Sequence, residues 1–245
     1  MTDRIVLAAR NNALWCDVVC RTHGLAGVLD DLAWTCPSRT PPYYPDAVTL
    51  SPEAAEHDLL ARIAPGDGAS IKDSWSRLDL AAENFARLVV GEWLWWDAPE
   101  AVTAGAQPDG GATTNTSTDG RTWRRVRSLD EAAAWSRAWA SADPADAGIL
   151  RPELVTVPGV HLLAAGSAGD DFAAGCIVNV TGPVAGVSNL FGRQGDDALT
   201  WRAATAAVRE VVGALPLVGW EAGAGLEAAV AAGATRLGPL TVWIS

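Results

Sequence analysis

A chain of 245 residues in which 49% are hydrophobic can bury one large core or two modest ones, so disorder is not the expectation. A formal charge of −11, from 18 basic against 29 acidic residues, argues against nucleic acid, whose phosphates require clustered Lys and Arg. The longest apolar runs fall short of the ~20 residues that span a bilayer, and the first residues carry too short an apolar run for a signal peptide, so a cytoplasmic protein with no membrane partner is expected.

Residues 7–23 predict a helix that Gly24 ends by taking the left-handed conformation. Its apolar face carries Ala8, Leu14, Trp15, Val18 and Val19. Cys16, Cys20 and His23 share a neighbouring face and, with Cys36, could form a metal site. No tight Cys-x₂-Cys pair is present, however, and buried reduced thiols are the favoured reading. Arg10, Asn11 and Asn12 either reach a ligand or solvate the first turn, and solvation is the expectation. In the proline-rich stretch 35–45, alternation points Tyr43 and Tyr44 in opposite directions, one to pack and the other to reach a cleft.

Residues 47–50 read as a strand, and 51–64 as a helix with Ser51 as N-cap and Pro52 at its first position. Strands follow at 69–75 and 87–96. The first contains Lys72, the only lysine, beside Asp73, as a buried pair or a substrate contact. In the second, Trp93 and Trp95 share a face as core or interface. Residues 101–120, AVTAGAQPDGGATTNTSTDG, lack large apolar side chains and mark the boundary. The chain therefore divides into a first half (1–100), a linker (101–121) and a second half (122–245).

The second half restarts with a strand at 123–127 and a helix opened by the capping box Ser128-Leu129-Asp130-Glu131. A short helix at 151–157 and strands at 160–165, 172–181 and 184–191 follow, with His161 and Cys176 placed in strand interiors and His57 on a polar helix face. Helix 198–213 carries Trp201, Ala204, Val208, Val211 and Val212 on one face. Strand 216–220, helix 223–232 and strand 236–244 complete the chain.

This order of elements, with GVSNLFGRQGDDALTWRAATAAV, LPLVGWE and LEAAVAAGATRLG, resembles the GNAT superfamily of acyl-CoA N-acyltransferases. The fold expected is a mixed α/β (α+β) sheet, and the strand-helix-strand-strand pattern of the first half looks like a partial, diverged copy, making a tandem GNAT-like protein. In that family the fourth strand and the loop after it hold the acyl-CoA. The resemblance therefore assigns cofactor contacts to Leu190, Phe191, Gly192, Arg193, Gln194 and Gly195.

Of the loop pattern R/Q-x-x-G-x-G/A, Gly195 is retained, Gly192 replaces Arg or Gln, and Asp197 replaces Gly or Ala. A carboxylate there opposes a pyrophosphate by about 1 to 4 kcal/mol, and Arg193 offsets part of this. Alternatively Asp196 or Asp197 caps the helix in place of an anion.

Acylation of an amine needs a base, a polarised carbonyl and an acid for the thiolate. The tyrosine many relatives use as acid is Ala229 here, and Tyr43 or Tyr44 could substitute if their segment folds over the cleft. If the topology holds, Glu221 is the base candidate or an exposed turn residue before the last helix, and Asn189 flanks the cleft or hydrogen-bonds strand backbone where the strands separate. The function expected is acyl transfer, most simply acetyl, from acetyl-CoA or another acyl-CoA to a small-molecule amine. A GNAT-fold binding protein that no longer uses acyl-CoA is the alternative, and the acidic balance counts against transfer from aminoacyl-tRNA.

Overall fold

The computed structural model describes residues 3–99, 120–140, 143–166, 172–192 and 197–245. The first half contains α1 (Arg4–Thr22), β1 (Val28–Leu29), β2 (Ala33–Thr35), β3 (Ala47–Thr49), α2 (Glu56–Leu60), β4 (Ser70–Asp73) and β5 (Ala86–Trp96). The second contains β6 (Trp123–Arg125), α3 (Leu129–Trp139), β7 (Val160–Gly166), β8 (Phe172–Thr181), β9 (Val184–Gly192), α4 (Asp197–Val212), β10 (Leu217–Glu221), α5 (Gly223–Ala231) and β11 (Thr235–Ile244). A 3-10 turn at Pro152–Thr156 replaces the short helix expected there. Most of the expected linker lies outside the described residues.

All these strands join one mixed sheet in the order β1-β2-β3-β4-β11-β5-β10-β9-β8-β7-β6. The order contains a repeat. In each half a parallel pair, β3 with β4 and β9 with β10, is followed by a strand that leaves its own half. Thus β5 lies between β10 and β11, while β11 lies between β4 and β5. The halves exchange their last strands across the centre of the sheet.

Alternation along the end of β5 shows how both faces are sealed there. Trp93 and Trp95 enter the core under α1 and α3, and Leu94 and Trp96 enter the core under α4 and α5. Trp96 stacks on Trp201 of α4 with ring centroids 5.2 Å apart. Trp93 and Trp135 satisfy their buried indole N–H groups by donating to the Ser74 and Leu163 carbonyls at 2.9 and 2.8 Å. A third core, with Leu59, Ile71, Leu80 and Trp243, fills the other face of the first half.

Two helix boundaries depart from the pattern. The first helix begins at Arg4, because the Asp3 carboxylate accepts from the Ile5 N–H at 2.9 Å and caps it. Arg10, Asn11 and Asn12 therefore lie beyond the first turn. The helix expected at 51–64 shrinks to Glu56–Leu60: Ser51 Oγ accepts from the Glu53 N–H at 3.1 Å and closes a local turn instead of capping a helix. By contrast, the capping box at Ser128 forms, with Oγ accepting from the Glu131 N–H at 3.2 Å.

Candidate active site

The strands β9 and β10 run in parallel through two registered pairs, Ala185 with Leu217 and Gly186 with Val218. Beyond them β9 turns aside. Ser188 faces Ile177 and Phe191 faces Gly175, so Asn189 and Leu190 together oppose Cys176 in a bulge. Asn189 takes φ 52°, a left-handed conformation that Asn tolerates better than most residues. Meanwhile β10 keeps its pairing with β5 as far as Glu221 opposite Glu92. A gap opens through the sheet between Asn189 and Glu221.

Each side of this gap has a hollow. On the α1 side a cavity of about 200 Å³ is lined by Asn11, Asn12, Tyr44, Lys72, Ser188, Asn189, Trp220 and others. On the α4 side a second, also about 200 Å³, is lined by Leu190, Phe191, Gly192, Asp197, Thr200, Trp201, Glu221 and Gly225. Leu190, Trp201 and Glu221 border both, so Glu221 stands where the two meet.

Glu221 is the last paired residue of β10 and lies against the first turn of α5. A Cβ at Gly225 would lie 2.7 Å from its Oε2, so the absence of a side chain there makes room for the carboxylate. Burial pushes the Glu221 pKa up to about 7; an Ala222 backbone hydrogen bond opposes the shift and the charge of Asp197 adds to it. A carboxylate poised near neutrality can take a proton and release it again.

Tyr44 is buried, and its hydroxyl makes no hydrogen bond of acceptable geometry. Burial raises its pKa above the ordinary phenol range, partly offset by the nearby Asn189 and Trp15 side chains. The hydroxyl thus stays protonated at neutral pH. Tyr43 points the other way, 72% exposed, its hydroxyl donating to Asp146 Oδ2 at 3.0 Å on the cavity rim. The two tyrosines divide into one exposed and one buried, and both border the α1-side cavity, Tyr43 at its rim and Tyr44 in its wall.

Lys72 lies on β4 with 4% exposure, its Nζ donating to Asn12 Oδ1 at 2.9 Å and sitting 4.3 Å from the Trp220 ring centroid. Asp73, its neighbour, faces away and accepts from the Trp75 and Leu78 N–H groups at 3.1 and 2.8 Å. The two are therefore no ion pair. Asn11 and Asn12, expected to be solvated, belong to the site: Asn11 is buried against β8 and Asn12 holds the lysine. A signal for Asn11 was present, since it lies four residues from both Leu7 and Trp15 on the apolar face of the helix.

Among the other candidates, Leu190, Phe191 and Gly192 line the α4-side hollow, while Arg193, Gln194, Gly195 and Asp196 lie outside the described residues. Asp197 is the first residue of α4. Cys16, Cys20, Cys36 and Cys176 are buried free thiols, and burial pushes Cys16 and Cys176 up to about 11 and about 12. His23 pairs through Nε2 with the Ile149 carbonyl at 2.8 Å. Half-buried His161, lowered in pKa by burial and by Arg125, keeps an unpartnered Nδ1. Exposed His57 sits 3.0 Å from Asp58. Ala229, where the family resemblance leads to the expectation of a tyrosine, is buried inside α5.

A sheet split between two parallel strands, with a helix N-terminus beside the split, is the architecture of the GNAT acetyltransferases, and the chain has this fold. A GCN5-related N-acetyltransferase from Kribbella flavida superposes with a TM-score of 0.57 at 14% identity, over 97% of this chain and 95% of that one. A GNAT-family protein from Novosphingobium aromaticivorans gives 0.53 at 14% identity, over 97% and 98%. A functionally unknown conserved protein from Staphylococcus epidermidis gives 0.55 at 9% identity, over 89% and 92%. No family model and no curated protein matches the sequence. Among the described residues no helix is long and apolar enough to cross a membrane.

Proposed function

We propose that the protein is an N-acyltransferase that moves an acyl group, most simply acetyl, from acyl-CoA to the amine of a small molecule. The observation that carries this reading is Glu221, a carboxyl with a pKa near 7 at the junction of two hollows within a split sheet. The α4-side hollow suits the narrow, amide-bearing acyl-pantetheine arm. Its walls mix Leu190, Phe191 and Trp201 with Thr200 and Glu221, and β9 beyond Gly186 has no pairing to β10, leaving backbone for an added strand-like partner. When bound, acyl-CoA supplies an activated thioester carbonyl.

Glu221 accepts the ammonium proton, freeing the nitrogen that forms the new C–N bond as the C–S bond breaks. Tyr44, kept protonated by burial, is the donor proposed for the departing sulfur. Asp197 opposes a pyrophosphate at the α4 N-terminus, so donor affinity depends on it. Calorimetric titration with acetyl-CoA tests the reading, on the wild type and on an Asp196→Ala, Asp197→Ala double variant. Binding by the wild type, strengthened in the variant, is expected. If neither binds, the acyl-transfer reading falls and the alternative of a GNAT-fold binding protein takes its place.

A further inference from the structure

The α1-side cavity is charged at two points. Among the described residues lining it, Lys72 is the one cation and Glu221 the one carboxylate, contributed by β4 and β10. Lys72 projects from β4 toward α1, because its neighbour Ile71 faces the opposite core. On β10, alternation from Leu217 and Val218 puts Trp220 on the α1 side and Glu221 at the α4 side of the gap.

Lys72 has no carboxylate within ion-pairing distance among the described residues; its contacts are the neutral Asn12 amide and the Trp220 face. A buried ammonium without a counter-ion is costly, and the cost falls when an anion arrives. The surrounding groups are suited to one. Because Asn12 Oδ1 accepts from Lys72, its amide nitrogen is left as a donor, and the Tyr44 hydroxyl and Ser188 Oγ are buried without partners beside the same cavity. An apolar or purely cationic guest would leave these donors unsatisfied.

We infer that the acceptor carries a carboxylate seated on Lys72 and Asn12, so that the substrate is a small amino acid in the broad sense, with its amine directed to Glu221. A single cation in so small a cavity suits a carboxylate of one charge better than a phosphate of two. The direction of the amine rests on the acyl-transfer reading; the carboxylate seat does not. Indole and asparagine contacts hold the ammonium in place before binding, and burial lowers its pKa to about 8, leaving most of it charged at neutral pH.

The test uses the full chain without any acyl donor, so that its failure is separate from failure of acyl transfer. Thermal unfolding is followed with the protein amino acids, β-alanine and 4-aminobutyrate, each beside the corresponding amine lacking the carboxylate. At least one amino acid should raise the midpoint where its matching amine does not, and calorimetry on that compound should show Lys72→Met weakening it about 10- to 100-fold.

Asn12→Asp provides a second variant that keeps the lysine: a built-in carboxylate at the 2.9 Å position competes with the ligand and should abolish the shift while circular dichroism stays unchanged. Equal shifts from amino acid and amine, no shift from the whole panel, or binding that survives both substitutions would each overturn the inference. If acetyl-CoA fails to bind while the carboxylate effect appears, the seat stands and acyl transfer falls. If acetyl-CoA binds and the carboxylate effect is missing, the reverse holds.

Discussion

Asn11 and Asn179 clasp α1 to β8 by exchanging hydrogen bonds, each side-chain amide donating to the other's backbone carbonyl, at 3.0 and 3.2 Å. Both are buried, and the clasp sits over Gly186, the last residue of β9 paired with β10 before the strands separate. A Cβ at Gly186 would fall 1.9 Å from Asn11 Oδ1 and 2.5 Å from Asn179 Oδ1. Gly186→Ala must therefore break the clasp or push α1 from the sheet. Chemical denaturation should show a loss of about 1–3 kcal/mol, and Asn12, carried on the same helix, should lose its alignment with Lys72.

Glu221 governs a pH response. With its carboxyl pKa raised from 4.5 to about 7, the acyl-transfer rate should rise with pH through neutrality as the base ionises, and Glu221→Gln should lower the rate and remove that rise. Stability moves in the opposite direction. A carboxyl with a raised pKa in the folded state takes up a proton on folding between pH 4.5 and about 7, so the wild type loses stability across that window. Glu221→Gln should be more stable than wild type at pH 8, by up to ~3 kcal/mol, and the difference should shrink as the pH falls toward 5. Urea denaturation at the two pH values checks this; a constant difference would contradict it.

The thiols give a third expectation. All four cysteines are buried and free. A thiol reagent should leave the native protein unmodified over the time in which it titrates every cysteine of the urea-unfolded chain. Rapid modification of one site in the native state would show a local opening that the packing does not suggest.

The exchanged strands predict cooperative unfolding. Because β11 hydrogen-bonds to β4 and β5 together, truncation before Thr235 removes a partner from both halves. The truncated chain should lose its folded circular dichroism, and residues 1–100 or 122–245 expressed alone should not give a native spectrum. In the full chain, tryptophan fluorescence and circular dichroism should report one coincident transition. Separate transitions would mean that the halves are energetically independent.

Much of the second half was legible because its signals are local. Ser128 and Glu131 declare a helix start, Gly182 and Pro183 a turn, and the Phe172–Thr181 strand carries a sustained apolar run. The fate of Ser51 was not legible, since the same Ser-Pro-Glu sequence serves a turn or a helix start and only the downstream packing decides.

At the site, Glu221 and Asn189 could be found from topology, because the strand ends place them. Lys72 and Asn12 meet across 60 positions of sequence, and nothing local marks that contact. The strand exchange was equally hidden. The apolar run shows that 87–96 is a strand with Trp93 and Trp95 on one face, but not that its neighbours are β10 and β11.

That exchange also sets an order of events during synthesis. The centre of the sheet, β5 beside β11, joins residues near position 90 to the last ten before Ser245, so while the chain is still leaving the ribosome the first half has an open strand edge where β11 will lie. An exposed edge rich in Leu and Val is an invitation to pair with another nascent chain. The polar segment at 101–120 lengthens the interval before the missing strand emerges. Yield in a cell should therefore respond to translation speed through the second half more strongly than the stability of the finished protein would suggest.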